Sequence, residues 1–377
     1  MIAAPQCGNY DDDLVAAKSE VGRSVMAAIP RAIRSFQGYV CETGFENTLA
    51  GIPLKVKTFP HIMQDTDVTV CAHAVCWMIA RYHSERYSFY PERLTYDIAV
   101  AVKDISEGGT IPSRGVTLGQ ISEILTSIGF APEIYTRDAY QNDSFFEDIL
   151  YAYIESGIPL VAALGSKEHA VAVVGHGQVQ SAVGLATGNG GAFINARQCI
   201  TSLVVNNDNR LPFDFLPDIG DIDGFVAPLY EKMYLSADNI LKIYPKLASG
   251  NLIQMPRTGI SVARVYMTSS KAYKCHLQTG MDTDSEMRKY QLELPMPKFI
   301  WIVEIASPQH YDNKRTEFRW IIDATANQYE KFPFLFIHDK HNMLIHDRAL
   351  KGNIYKIPFS MPLIPFQLYE KNLRMYL

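Results

Sequence analysis

Cys71-Ala72-His73-Ala74-Val75-Cys76-Trp77-Met78-Ile79-Ala80-Arg81-Tyr82 is apolar on almost every side, interrupted only by His73 and Arg81. A helix that is apolar all round is a buried one. The stretch therefore predicts a central helix, and Cys71 stands at its start. Gln64 lies just upstream. Further on, His169-Ala170-Val171-Ala172-Val173-Val174-Gly175 reads as a buried strand, rich in valine and closed by glycine.

A thiol, an amide and an imidazole in these places make a nucleophilic set. Only a thiolate attacks a carbonyl, and a helix N-terminus and a nearby imidazolium both favour the thiolate. Cys71 has the first device, and His169 supplies the second. A histidine at the first position of a strand projects into a cleft from a rigid backbone. There it acts as base and then as acid toward a leaving amine. Gln64 can donate a side-chain N–H to the developing oxyanion, beside the backbone N–H of Cys71. A third group should orient the imidazole. The strand-like run 200–205 leads into Asn206-Asn207-Asp208-Asn209. Asp208 is the first choice, with Asn206 and Asn207 as alternatives, because an amide also holds a ring.

With these residues the chain resembles the papain-like cysteine peptidases. It is most similar to the bacteriocin-processing (double-glycine) peptidases and their stand-alone bacterial relatives. Those share a Gln–Cys pair before the central helix, a His-Ala-Val-Val-Val-Gly-like strand, and an Asp on the following strand. The matching positions are Gln64 and Cys71, His169 through Gly175, and Asp208. The resemblance spans residues 55–212 and includes the segments 117–130 and 153–159. It implies a papain-like α+β fold, a catalytic set of Cys71, His169, Asp208 and Gln64, a peptide or protein substrate, and no cofactor or metal. The chain departs from the pattern in three ways. Seven positions separate Gln64 from Cys71, His176 replaces an aromatic residue, and a glycine-rich stretch, 184–191, lies between His169 and Asp208.

The 377 residues suffice for two domains, and 47% hydrophobic content supports a full core. A net charge of −5 offers no basic surface for nucleic acid or an anionic membrane. No apolar run is long enough to span a bilayer. The first residues lack the basic and apolar regions of a signal peptide. The six cysteines form no disulfide-like framework, which fits a reducing, cytoplasmic setting, though secretion without a cleaved signal is compatible with it. Oligomeric state is not legible.

Three regions follow: an N-terminal helical extension (1–50), the papain-like domain (51–229) and a C-terminal α+β domain (230–377). Residues 11–36 read as helical and 54–59 as a strand. Thr117/Gln120 and Ser144/Glu147 are capping-box patterns, each before an amphipathic helix stopped by a glycine, Gly129 and Gly157. Strands are expected at 158–164, 169–174 and 200–205. Helices before strands argue for a central helix packed on a mostly antiparallel sheet. In the last region Ser236 is expected to cap a helix to 247, with strands at 262–267, 299–305, 318–322 and 334–337.

Blander readings apply elsewhere. Cys7, Cys41, Cys199 and Cys275 read as small buried hydrophobes, and Cys76 as core. Cys71, His73 and Cys76 do not form a metal site, because Cys71 and Cys76 point apart on a helix. His338, His341 and His346 read as a solvated hairpin. The 184–191 stretch lacks the Gly-Lys-Ser/Thr ending of a phosphate loop and reads as a surface loop. The 300–325 segment resembles the last strands of a transglutaminase core, but Phe299 stands where that family has its histidine. The leading expectation is peptide hydrolysis through Cys71 and His169. A transglutaminase-like or deamidating acyl transfer is the second, and a catalytically idle papain-fold binding module the third.

Overall fold

The computed structural model describes residues 16–18, 24–27, 36–49, 51–63, 71–101, 116–165, 169–186, 193–249, 260–279, 285–327, 329–330, 333–339, 341–347, 353–359 and 365–376. Gln64 and Cys7 lie outside the described residues. The protein is α+β, with two large sheets, and among the described residues no helix is long and apolar enough to cross a membrane.

The expected central helix is Cys71–Arg86, one turn longer than the apolar run. Nearly every side chain from Ala72 to His83 is buried, and the helix packs on the His169–His176 strand. The Leu118–Ile128 helix begins as its sequence demands. Thr117 accepts from the Gln120 amide while the Gln120 side chain accepts from the Thr117 amide, and Gly129 ends it with φ 106°. The next helix, Asp143–Glu155, corrects the Ser144/Glu147 expectation. Asn142 is the N-cap, accepting from the Ser144 amide at 3.0 Å. Glu147 instead pairs with Arg137 and Arg197. Gly157, at φ 71°, turns the chain out of this helix; a Cβ there would lie 2.9 Å from the Asn372 carbonyl oxygen. The Ala237–Ser249 helix is also present, but the Ser236 hydroxyl donates to Asp238 at 2.5 Å and accepts from Asn239.

The first sheet runs Asp214–Leu216, Leu203–Asn206, His169–His176, Leu160–Leu164, Gly224–Leu229, Ala131–Thr136, with every pair antiparallel. Gly38–Val40 pairs with the far end of His169–His176, and Arg374–Tyr376 pairs with Gly38–Val40. The second sheet runs Phe193–Asn195, Ser261–Ser269, Phe299–Ala306, Phe318–Asp323, Phe334–His338, Asn342–Asp347, Asn353–Pro358. Among the described residues its one parallel pair is Phe193–Asn195 with Ser261–Ser269. The two sheets therefore exchange strands across the expected division at 229/230. One hydrophobic core also crosses that division, running from Val75 and Ile79 through Val171 and Val226 to Val265, Trp301 and Trp320. The opposite face of the second sheet, with Tyr266, Ile300, Ile302 and Ile321, packs its own cluster against Tyr273, Leu277 and Met287.

Three further expectations are corrected. Within 11–36, Ala16–Lys18 and Ser24–Ala27 are paired strands, and the second also pairs with His61–Ile62; a free strand edge supplies backbone partners that outweigh weak helix propensity. Cys275 is exposed rather than buried. His338 is fully buried in the second sheet, where it pairs across to Met343, so the His338–His346 group is not a solvated hairpin.

Candidate active site

The antiparallel pairing sets the site. His169 is the first residue of its strand, opposite Leu164. The neighbouring strand runs the other way, with Val205 opposite Val173 and Asn206 opposite Ala172. Its continuation carries Asn207 and Asp208 to the end of the sheet where His169 begins. The central helix starts at that same end, so Cys71 joins them. Its first-turn amides have no intrahelical partner, and the first turn carries no acidic side chain to oppose a thiolate.

The structure brings Cys71, His169, Asn207 and Asp208 together. The Cys71 thiol lies near enough to the His169 ring to act on its pKa as a hydrogen-bonding partner. His169 Nε2 is 3.0 Å from Asn207 Oδ1. With Nε2 so engaged, Nδ1 is the nitrogen left for the thiol, and the ring donates from Nε2. Asp208 Oδ1 lies 3.3 Å from the same Nε2 but outside hydrogen-bond geometry, so the amide of Asn207 is the group that fixes the ring. Asn207 is fixed in turn, because its Oδ1 also accepts from the Asn209 amide at 2.9 Å. Asn206 faces away from the ring. Its side chain donates to the Pro60 carbonyl at 3.2 Å and accepts from the Phe213 amide at 2.8 Å, which ties the turn to the segment before the helix.

Charge placement follows from these contacts. The hydrogen bond to Cys71 raises the His169 pKa, burial opposes the rise, and Asn207 and Asp208 add to it. The imidazolium is thus favoured beside a thiol at a helix start. Burial pushes the Asp208 carboxyl up, and the charge on His169 partly offsets this. Cys71 and His169 keep part of their surface in solvent, whereas Asp208 is buried. A reacting carbonyl can therefore approach the sulfur, while the orienting groups stay behind the ring.

Cys76 is buried, and burial pushes its thiol up to about 12, as for Cys41. Among the described residues no three His, Cys, Asp or Glu side chains converge as metal ligands. In the second sheet, Phe299 stacks on Tyr230 at 4.8 Å, and Asp323 accepts from the Thr325 amide and hydroxyl. The choice among Asn206, Asn207 and Asp208 had no signal in the sequence, since it depends on pairing register. Comparison with known protein families, curated proteins and solved structures finds no match.

Proposed function

We propose that this protein is a cysteine peptidase with a papain-like fold. The observation that carries the reading is the chain of contacts from the Cys71 thiol to the His169 ring to the Asn207 side chain. In this reading the Cys71 thiolate attacks the scissile carbonyl, and its backbone amide donates to the oxyanion, with Gln64 as the proposed second donor. His169 then gives its proton to the leaving amine. It next takes one from the water that hydrolyses the thioester. Asn207 holds the ring, and Asp208 adds negative charge behind it. No cofactor is needed. The described cysteines are all free, which supports a reducing, cytoplasmic setting.

A thiol-directed alkylating probe with mass-spectrometric site mapping tests the nucleophile. Cys71 should label fastest at mildly acidic pH, and Cys71→Ala should abolish hydrolysis of a peptide library. Equal labelling of Cys71 and exposed Cys275 would overturn the reading. Transfer to an added primary amine in place of hydrolysis would select the acyl-transfer alternative. Labelling at Cys71 with no turnover of any peptide or amine would select the idle module.

A further inference from the structure

A cavity of about 560 Å³ lies where the first sheet, the second sheet and the C-terminal strand meet. His176 lines it. That residue ends the strand begun by His169, so the cavity is ~23 Å from the candidate active site at ~3.3 Å per residue. The volume suits a small organic molecule. Tyr39, Tyr311, Tyr376, Leu373 and Met375 contribute apolar walls, and Glu155, His176 and Arg264 form a polar floor.

The hydrogen-bond inventory of the floor decides what fits. Glu155 is buried, and its two oxygens already receive four donors. Tyr151 and His176 Nε2 donate to Oε1, and Arg264 Nε and Nη2 donate to Oε2. Its carboxylate is saturated. His176 is equally spent, because its Nδ1 faces the Gly177 carbonyl at 2.9 Å. Arg264 is only 8% exposed, and four of its five N–H groups are used: two on Glu155, one on Glu304 and one on the Tyr369 carbonyl. The second N–H of Nη2 has no partner among the described residues. At the rim, Asp312 receives Ser181 and the amides of Ala182 and Val183, and Glu370 receives Lys314. The Tyr39 hydroxyl accepts from Lys314 and keeps its own hydrogen to donate. The cavity thus offers unspent donors, one of them on a buried cation, and its carboxylates are occupied.

We propose that this cavity binds a small organic carboxylate, with the anion on Arg264 and an apolar or aromatic body against the tyrosines, Leu373 and Met375. The inference is independent of the chemistry at Cys71. Isothermal titration of the full chain at pH 7 tests it with three probes of one shape: 3-phenylpropionate, its primary amide and 3-phenylpropylamine. The carboxylate should bind about tenfold tighter than either of the others, the worth of one charge-assisted hydrogen bond. Met375→Trp, at a partly exposed wall position, fills the space and should weaken that binding by tenfold or more, on the order of a lost contact set of ~1.4 kcal/mol. Failure of all three probes to bind at millimolar concentration would overturn the proposal. So would equal or tighter binding of the amide or the amine, or carboxylate binding unchanged by Met375→Trp.

Discussion

At the scale of single residues, His169 and its two neighbours make a sharp test. The largest influence raising its pKa is the bond to Cys71, followed among the raising influences by Asn207 and then Asp208. Cys71→Ala should therefore lower the His169 titration midpoint, read by imidazole NMR. Asn207→Ala should cut turnover by tenfold or more, because an unoriented imidazole is a poor acid and base. Asp208→Asn should cost less than Asn207→Ala. The reverse order would return the orienting role to Asp208. His83 carries a second prediction. It is fully buried among Tyr82, Tyr87, Tyr90, Phe130 and Tyr230, and burial, with Arg86 adding, lowers its pKa from 6.5 to about 3. A lowered folded value means that the unfolded chain takes the proton first. The neutral ring costs nothing above pH 6.5, and stability falls as pH drops from there toward 3. His83→Leu should flatten urea-measured stability against pH over this window, by up to ~1.4 kcal/mol per pH unit. Identical slopes in the two proteins would refute it.

At the scale of elements, helix starts separate what local sequence specifies from what it only suggests. Thr117 and Gln120 satisfy each other as their spacing requires, because both partners lie within one turn. Ser144 and Glu147 have the same spacing and make no such box. Asn142, two residues earlier, takes the Ser144 amide first, and Glu147 is drawn to Arg137 and Arg197. Asn142→Ala should thus cost about 1 kcal/mol in chemical denaturation, and Ser144→Ala only a few tenths. Equal losses would restore the original box. The same lesson applies to the N-terminal strands. Ser24–Ala27 takes its second partner from His61–Ile62, distant in sequence, so local pattern alone does not announce this sheet.

At the scale of the whole molecule, the two sheets behave as one body. Arg264 in the second sheet pairs with Glu155 at 2.6 Å, and Arg374–Tyr376 adds a strand beside Gly38–Val40. Although burial works against it, Arg264 and His176 hold the Glu155 carboxyl well below the usual carboxylate range. Residues 1–229 alone would leave Glu155 without Arg264 and expose the shared core. Removing one partner of a buried ion pair costs about 3–5 kcal/mol, a large part of an ordinary domain's stability. The 1–229 fragment should therefore lack a cooperative thermal transition by circular dichroism. A fragment that melts cooperatively and hydrolyses small peptides would show that the second sheet is dispensable.

The sequence by itself determined the buried helix at Cys71, the valine-rich strand at His169, the caps at Thr117 and Gly129, and the main strands of the second sheet. Each is written in residues close together, where periodicity and caps act. It also narrowed the group behind His169 to three adjacent positions. Only the tertiary structure decided among them, through the register and the irregularity between Val204 and Val205 that turn Asn206 toward Pro60 and Asn207 toward the ring. Likewise Glu155 and Arg264 stand 109 residues apart, and no local pattern relates them. Their pairing, the shared core and the cavity above them arise from strands of both halves meeting in space, where burial forces each charged group to find its partner.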